Sequence, residues 1–318
     1  MRKLAIASLL LVIALVSLSA YLRLNHSGIG CANWPVCYGQ IGPAAESTPT
    51  ISSTYERLAA EARQPMSWAT PAHRLIASIL GLTVLGMALL SLYRRQDRLL
   101  TIALLGLTVF LAWLGIHSGG LHSPAVVMGN LGGGFAMLAL LGWAVFKEVQ
   151  PTRPCPRHVR ILTIAAILLL LLQIGLGGLT SANFAASACP TLPECNGQFM
   201  PGPGLLKAFD LSRSHTIGDG GLALGGPERA AIHQLHRLMA VTTTIVILAA
   251  ALLALRARQY LVASLVLALT AIEVGVGVAA ILSELPIGIA VAHNWLAAML
   301  LLALLRLLAL SKYQQASN

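Results

Sequence analysis

Residues 231–255 read AIHQLHRLMAVTTTIVILAAALLAL, an apolar run whose histidines and arginine lie near its start. A helix needs about 20 mostly apolar residues to cross the hydrocarbon of a bilayer, so this run predicts a transmembrane helix. Seven further runs in the 318-residue chain meet the same criterion: 4–22, 72–93, 99–117, 124–146, 159–180, 259–282 and 286–310. Only 10% of the residues are charged, against roughly a quarter in soluble domains. The sequence therefore predicts an all-α integral membrane protein with eight transmembrane helices.

The net charge of +10 has a topological explanation. Basic residues gather at the N-terminus and at every second connection between the apolar runs: Arg2, Lys3, Arg94, Arg95, Arg98, the 147–160 connection, Arg256, Arg258, Arg306 and Lys312. Cytoplasmic loops carry such an excess, so both termini are predicted to be cytoplasmic and the long segments 23–71 and 181–230 to face the opposite side. No surface that combines aromatic and basic residues accompanies the charge, which argues against nucleic-acid binding.

The two long outer segments share the pattern Cys-x3-Pro-x-Cys-x-Gly-Gln, at 31–40 and 189–198. The apolar run that follows each segment opens with a His-Arg pair, at 73–74 and 236–237. Because four predicted spans lie in each half, the two copies have the same orientation, as in a parallel repeat. We therefore predict two pseudo-symmetric four-helix bundles, 1–150 and 151–318.

Four of the five cysteines form two pairs by position, Cys31 with Cys37 and Cys189 with Cys195. They lie on the predicted outer side, where disulfides persist, and closing so short a loop stabilises it by about 2–3 kcal/mol. Two interpretations stay open: a structural disulfide in each loop, or a redox-active pair that passes reducing equivalents, for which Cys31 and Cys37 are the catalytic candidates. Cys155 lies in the predicted cytoplasmic connection between the halves and has no assigned role.

Three histidines lie at membrane depth, where such residues are costly and generally functional. His73 and His236 stand near the outer ends of the second and sixth spans, and His293 stands in the eighth. Two histidines on facing helices can bind one haem iron from both sides, so His236 and His293 predict a haem site and His73 is an iron-ligand candidate in the first half. Arg74 and Arg237 are candidates to pair with haem propionates. The alternative is that the histidines only hydrogen-bond one helix to another.

Other polar and small residues of the spans give weaker signals. Glu273 is the one acidic residue deep in a span, and it is predicted to be a hydrogen-bond partner within the bundle or a proton relay. His117 and His122 flank a short outer turn and are expected to be solvated or capping residues. Glycines of the fifth span, among them Gly175 and Gly177, are expected to let a helix or a flat macrocycle approach the backbone closely.

Together these motifs resemble the haem A synthase family. The residues that carry the resemblance are 27–39, SGIGCANWPVCYG, then 178–183, GLTSAN, then His236-Arg237 and 291–294, VAHN. The resemblance implies eight spans and an oxidoreductase that converts a methyl group of haem O to the formyl group of haem A, used by terminal oxidases. It also implies a haem b cofactor between His236 and His293, and a substrate haem in the first half with His73 as a ligand.

The same resemblance implies the partners and location of the protein. Haem O is the expected substrate, delivered by a haem O synthase, and haem A is the product. Electrons would pass to an acceptor whose class the sequence does not specify. The lipid bilayer is expected to be the cytoplasmic (inner) membrane of a bacterium, and a homo-oligomer is a candidate assembly.

The first half departs from the family pattern at two positions. Thr70 stands where the family usually has a glutamate, three residues before His73, and Asn130 stands where it usually has a histidine in span four. Three hypotheses follow: a synthase that uses His73 as its only axial ligand, a synthase in which His117 or His122 supplies the second ligand, or a catalytically impaired haem-binding relative with a carrier, assembly or regulatory role. A transporter is a further hypothesis, since parallel repeats also occur in transporters.

Overall fold

The computed structural model describes residues 1–24, 68–117, 124–149, 155–213, 226–283 and 285–311. These residues contain eight long helices and no β-strand: α1 Arg2–Leu24, α2 Ala69–Arg94, α3 Arg98–His117, α4 Pro124–Phe146, α5 Arg157–Ala182, α6 Pro227–Arg256, α7 Tyr260–Leu282 and α8 Ile287–Leu310. All eight are long and apolar enough to cross a membrane. The prediction of an all-α integral membrane protein with eight spans is confirmed.

Proline marks the start of several spans. Pro124 and Pro227 are the first residues of α4 and α6, while Pro156 and Pro286 directly precede α5 and α8. Proline suits the first helical position, as at Pro124 and Pro227, because its fixed φ matches the helix and its missing N–H would have no helical partner there. Because of Pro227, α6 begins before residue 231, where the apolar run itself begins.

The helices pack in two rings. In the first ring α1 and α3 each pack against α2 and α4, and in the second ring α5 and α7 each pack against α6 and α8. This order of contacts puts α2 opposite α4, and α6 opposite α8. Contacts of α1 with α8, α4 with α5 and α4 with α8 join the rings. Two four-helix units would produce such contacts, but their relation by a pseudo-symmetry axis stays a prediction.

Apolar side chains divide between the junction of the rings and the periphery. Met137, Leu138 and Leu141 of α4 are fully buried together with Leu301 and Leu304 of α8. The outward faces of α3 and α7 carry exposed large apolar residues: Leu99, Ile102, Val109, Phe110, Trp113, Leu261, Leu265 and Ile272. A wide apolar exterior of this kind fits contact with lipid, so α4 and α8 form the centre of the molecule while α3 and α7 face the bilayer.

Candidate functional site

His236 of α6 is held against the neighbouring helix α5. The side-chain Nε2 of Gln173 lies 3.0 Å from Nδ1 of His236 and donates a hydrogen bond to its main-chain carbonyl at 2.9 Å. The ring also lies over Gly177, where an added Cβ would come within 3.1 Å of the ring carbon Cε1. The imidazole therefore occupies space that exists because residue 177 has no side chain.

His293 of α8 has a corresponding position against α7. Its Nδ1 lies 3.3 Å from Oε1 of Glu273, whose side chain is only 14% exposed. A Cβ at Gly277 would come within 3.1 Å of Cε1 of the His293 ring. Glu273 is thus the polar neighbour of a histidine, but Nδ1 of His293 has no hydrogen-bond partner among the described residues, so the hydrogen bond that the sequence predicted for Glu273 stays a prediction. Its other oxygen, Oε2, is buried and has no hydrogen-bond partner in the part of the chain that is described.

The residues of the second ring fit a haem with two histidine ligands. His236 and His293 stand on helices at opposite corners of this ring. Among the described residues no group of three or more His, Cys, Asp or Glu side chains converges as a metal site. A haem iron does not require one, since the porphyrin supplies its equatorial ligands and the protein supplies only axial ones. The role of the two histidines as iron ligands stays a prediction.

One face of α6 holds the loop that follows α5. Arg229, His233 and Arg237 are spaced four residues apart, so they lie along one side of the helix. Each contacts main-chain carbonyls of the loop: Arg229 that of Phe184, His233 that of Ala185, and Arg237 those of Cys189, Thr191 and Glu194. Both terminal nitrogens of the Arg237 guanidinium thus donate hydrogen bonds to the loop, and only its Nε has no partner among the described residues. Its pairing with a propionate stays a prediction.

The same loop contains a disulfide between Cys189 and Cys195, with 4.8 Å between their Cα atoms. Both sulfur atoms lie near the carbonyl of Ala230 in the first turn of α6, at 3.6 and 3.9 Å. The predicted second disulfide is therefore present, and it lies against the helix that carries His236. The predicted pair Cys31 and Cys37 lies outside the described residues. Cys155 is a free, buried cysteine, and burial raises the pKa of its thiol.

A partly buried ion pair that the sequence did not predict joins the segment after α5 to the start of α6. Nη1 of Arg213 lies 2.9 Å from Oε1 of Glu228, and Nη2 donates to Oδ1 of Asn183 at 2.9 Å. Asn183 in turn donates to the carbonyl of Ala208. The position of Glu228 in the first turn of α6 is a usable signal, because acidic residues are favoured at helix N-termini. The sequence gives no comparable signal for Arg213.

Replacing Arg213 with alanine is expected to destabilise the folded protein by about 2 kcal/mol, because the Glu228 carboxylate, whose side chain is 8% exposed, loses a charge-assisted hydrogen bond. The free energy of unfolding in detergent, measured by denaturant titration, tests this expectation. The double variant Arg213→Ala with Glu228→Gln is the control, since it removes the unpaired charge and is expected to recover part of the loss. Equal stability of Arg213→Ala and the parent chain would contradict a stabilising role for the pair.

The first ring holds the other predicted site residues of the spans. His73 and Thr70 lie in the first two turns of α2, and Asn130 lies in α4 at the opposite corner. The amide Nδ2 of Asn130 is buried and has no hydrogen-bond partner in the described ranges. Arg74 directly follows His73 in the same helix. His117 is the last residue of α3, while His122 lies outside the described residues, so its role as a second ligand stays a prediction.

Comparison with known proteins identifies relatives along nearly the whole chain. Residues 2–305 match the family model described as COX15-CtaA, cytochrome oxidase assembly protein. A protein of Shewanella oneidensis named Heme A synthase is 32% identical over 306 residues, which cover 93% of this chain and 92% of the relative. Proteins of the same name from Neorickettsia sennetsu and Nitrosospira multiformis are 28% and 24% identical, covering 92% and 89% of this chain and 93% and 85% of the relatives.

Proposed function

Because the chain belongs to the COX15-CtaA family of cytochrome oxidase assembly proteins, we propose that it is a haem A synthase, which oxidises a methyl substituent of haem O to a formyl group. The family and the relatives support a role in haem A biosynthesis and an oxidoreductase activity. The observation that carries the proposal is the pair His236 and His293, each supported by a neighbouring helix on opposite sides of one ring.

In this proposal the second half, 151–318, holds haem b through His236 and His293. A haem b held by two histidines supplies one-electron transfer. The chain contributes the ligands and their surroundings: Gly177 leaves room for the ring of His236, Gln173 binds the main-chain carbonyl of His236, and Glu273 and Gly277 lie against the ring of His293. Arg229, His233 and Arg237 keep the outer loop closed over this end of α6.

The first half, 1–150, is proposed to bind haem O, with His73 as the axial ligand and Arg74 near its propionates. Oxidation of a methyl to a formyl group removes electrons and adds an oxygen atom, so the reaction needs an electron acceptor and an oxygen source besides the substrate. Cys31 and Cys37 are the proposed redox pair of this half. An amide such as that of Asn130 is a poor ligand for iron, so the iron position opposite His73 is proposed to have no protein ligand.

The arrangement in the cell follows from the charge pattern. We place both termini in the cytoplasm and the protein in the inner membrane of a bacterium, with the disulfide loop on the outer side. At the proposed cytoplasmic side Lys147, at the end of α4, forms an ion pair with Asp97 in the connection between α2 and α3. Delivery of haem O by a haem O synthase, and a homo-oligomeric assembly, belong to the same proposal.

A second candidate is a haem-binding relative without synthase activity, with a carrier, assembly or regulatory role. Thr70 and Asn130 favour it, because threonine is not a carboxylate and asparagine is not an effective iron ligand. This candidate keeps the haem b site of the second half and loses the oxidation in the first. The two proposals therefore differ in the haem product and not in the spectrum of the bound haem b.

Haem extraction distinguishes the two candidates. The full chain would be expressed in a bacterium that makes haem O but has no haem A synthase of its own, and the extracted haems identified by mass. The synthase proposal expects haem A, and a strain carrying the empty vector is expected to yield none. Haem O without haem A, together with a bound haem b, would support the second candidate. Absence of both haem A and bound haem b would contradict both.

A further inference from the structure

The helices that support the two histidines share a sequence pattern. Residues 173–177 of α5 read QIGLG, and residues 273–277 of α7 read EVGVG. In both, a residue with a polar side chain precedes a glycine by four positions, so the two lie on one side of their helix. In both, the polar side chain contacts a histidine of the next helix, and the glycine lies beneath the ring of that same histidine. We call each combination a histidine support.

The two supports differ in the chemistry that they offer to Nδ1. Gln173 presents an N–H, because the same Nε2 donates to the carbonyl of His236. Glu273 presents a carboxylate oxygen, which only accepts a hydrogen bond unless it is protonated. A histidine that binds iron through Nε2 carries its proton on Nδ1 and needs an acceptor there. Oε1 of Glu273 lies 3.3 Å from Nδ1 of His293, and this nitrogen has no hydrogen-bond partner among the described residues, so the carboxylate is the acceptor within its reach.

We infer that Glu273 and Gly277 position His293 as an axial haem ligand, with Glu273 accepting the hydrogen bond of Nδ1 and so increasing the electron donation of Nε2 to the iron. This inference rests on the proposed binding of haem b between His236 and His293. It makes the two axial ligands inequivalent, because the support of His236 ends in an amide. Glu273 is then a positioning residue that touches the ligand and not the haem.

A hydrogen bond from a ligating histidine to a carboxylate raises the basicity of the ligand. A more basic ligand stabilises ferric over ferrous iron, so the contact lowers the reduction potential of the haem. Glu273→Gln keeps the shape of the side chain and removes the carboxylate. The variant is expected to retain a low-spin haem with a higher reduction potential than the parent chain.

The glycine of each histidine support leaves room for the imidazole ring because it has no side chain. A Cβ at residue 277 would lie 3.1 Å from Cε1 of His293, which is tighter than an ordinary contact, so the ring has to shift. Gly275 offers a matched control on the same helix, because a Cβ there has no neighbouring atom within 4 Å. Gly277→Ala is therefore expected to change the low-spin electron paramagnetic resonance signal, whose g values depend on ligand orientation, whereas Gly275→Ala leaves it as in the parent chain.

The test is a redox titration of the purified full chain with its haem, combined with electron paramagnetic resonance of the oxidised protein. A higher potential in Glu273→Gln, with the low-spin signal retained, supports the inference. An unchanged potential in that variant overturns it. If Glu273→Gln does not accumulate, the inference is tested by comparing the paramagnetic resonance spectra of Gly277→Ala and Gly275→Ala. Equal spectra of these two variants overturn the inference. A parent chain without a low-spin haem signal contradicts the proposed function itself, which separates the two failures.

Discussion

Alanine in place of either His236 or His293 is expected to abolish the low-spin haem spectrum of the purified protein. A haem iron with two histidine ligands is low-spin, and loss of one ligand leaves an open position that water can occupy. The two residues stand on different helices of one ring, and each supplies one of the two proposed ligands. Either substitution alone is therefore expected to abolish the low-spin spectrum. Optical absorption of the oxidised and reduced protein, with haem content from the pyridine haemochrome, measures the effect.

Two variants serve as controls for this prediction. His158→Ala removes an exposed histidine at the start of α5, far along the helix from Gln173, and is expected to leave the spectrum as in the parent chain. His293→Met keeps an axial ligand of another kind, and thioether ligation raises the haem potential. A low-spin spectrum of parent intensity in both alanine variants would show that the haem is held elsewhere.

The spans were predictable because bilayer physics acts on every residue of a long apolar run. Eight runs gave eight helices, since a helix inside hydrocarbon satisfies its own main-chain hydrogen bonds. The first and last residues of the helices were less predictable. An apolar run ends at the surface of the bilayer, whereas the helix can continue beyond that surface. In α6 the run begins at 231, yet Pro227 and Glu228 favour a helix start outside the apolar zone.

The polar contacts of the candidate site were predictable only in part. Glu273 could be singled out, because an acidic residue inside a span needs a partner, but only the fold shows that this partner is His293. Gln173 gave no such signal, since a neutral amide in an apolar run has many ways to be satisfied. The glycines of α5 were expected to admit a helix or a macrocycle, and the structure shows that Gly177 admits the ring of His236.

Arg237 illustrates a limit of local motifs. Its place directly after His236 suggested a propionate partner, since arginine pairs well with carboxylates. The loop after α5, however, brings the carbonyls of Cys189, Thr191 and Glu194 to the same guanidinium. These residues are more than 40 positions away in sequence, and a pattern of neighbours along the chain does not report such a contact.

Haem A formation is expected to be lost in His73→Ala and retained in Asn130→Ala. In the proposed synthase His73 is the axial ligand of haem O in the first half, and its loss leaves the substrate iron without a protein ligand. The side chain of Asn130 is a poor iron ligand, and its Nδ2 makes no hydrogen bond within the described part of the molecule. Haem extraction from cells that make haem O, with haem A normalised to the amount of the expressed chain, measures both variants.

Further variants separate this prediction from its rivals. His117→Ala and His122→Ala are expected to retain haem A formation, because the proposal leaves the position opposite His73 without a protein ligand. Loss of haem A in one of them would assign that histidine as the second ligand.

Asn130→His introduces the histidine that the haem A synthase family usually has in span four. The iron of the first half would then have two histidine ligands and would add a second low-spin signal to that of haem b. Haem A formation that is unaffected by His73→Ala would contradict the assignment of the substrate site to α2, because His73 is the one histidine of that helix.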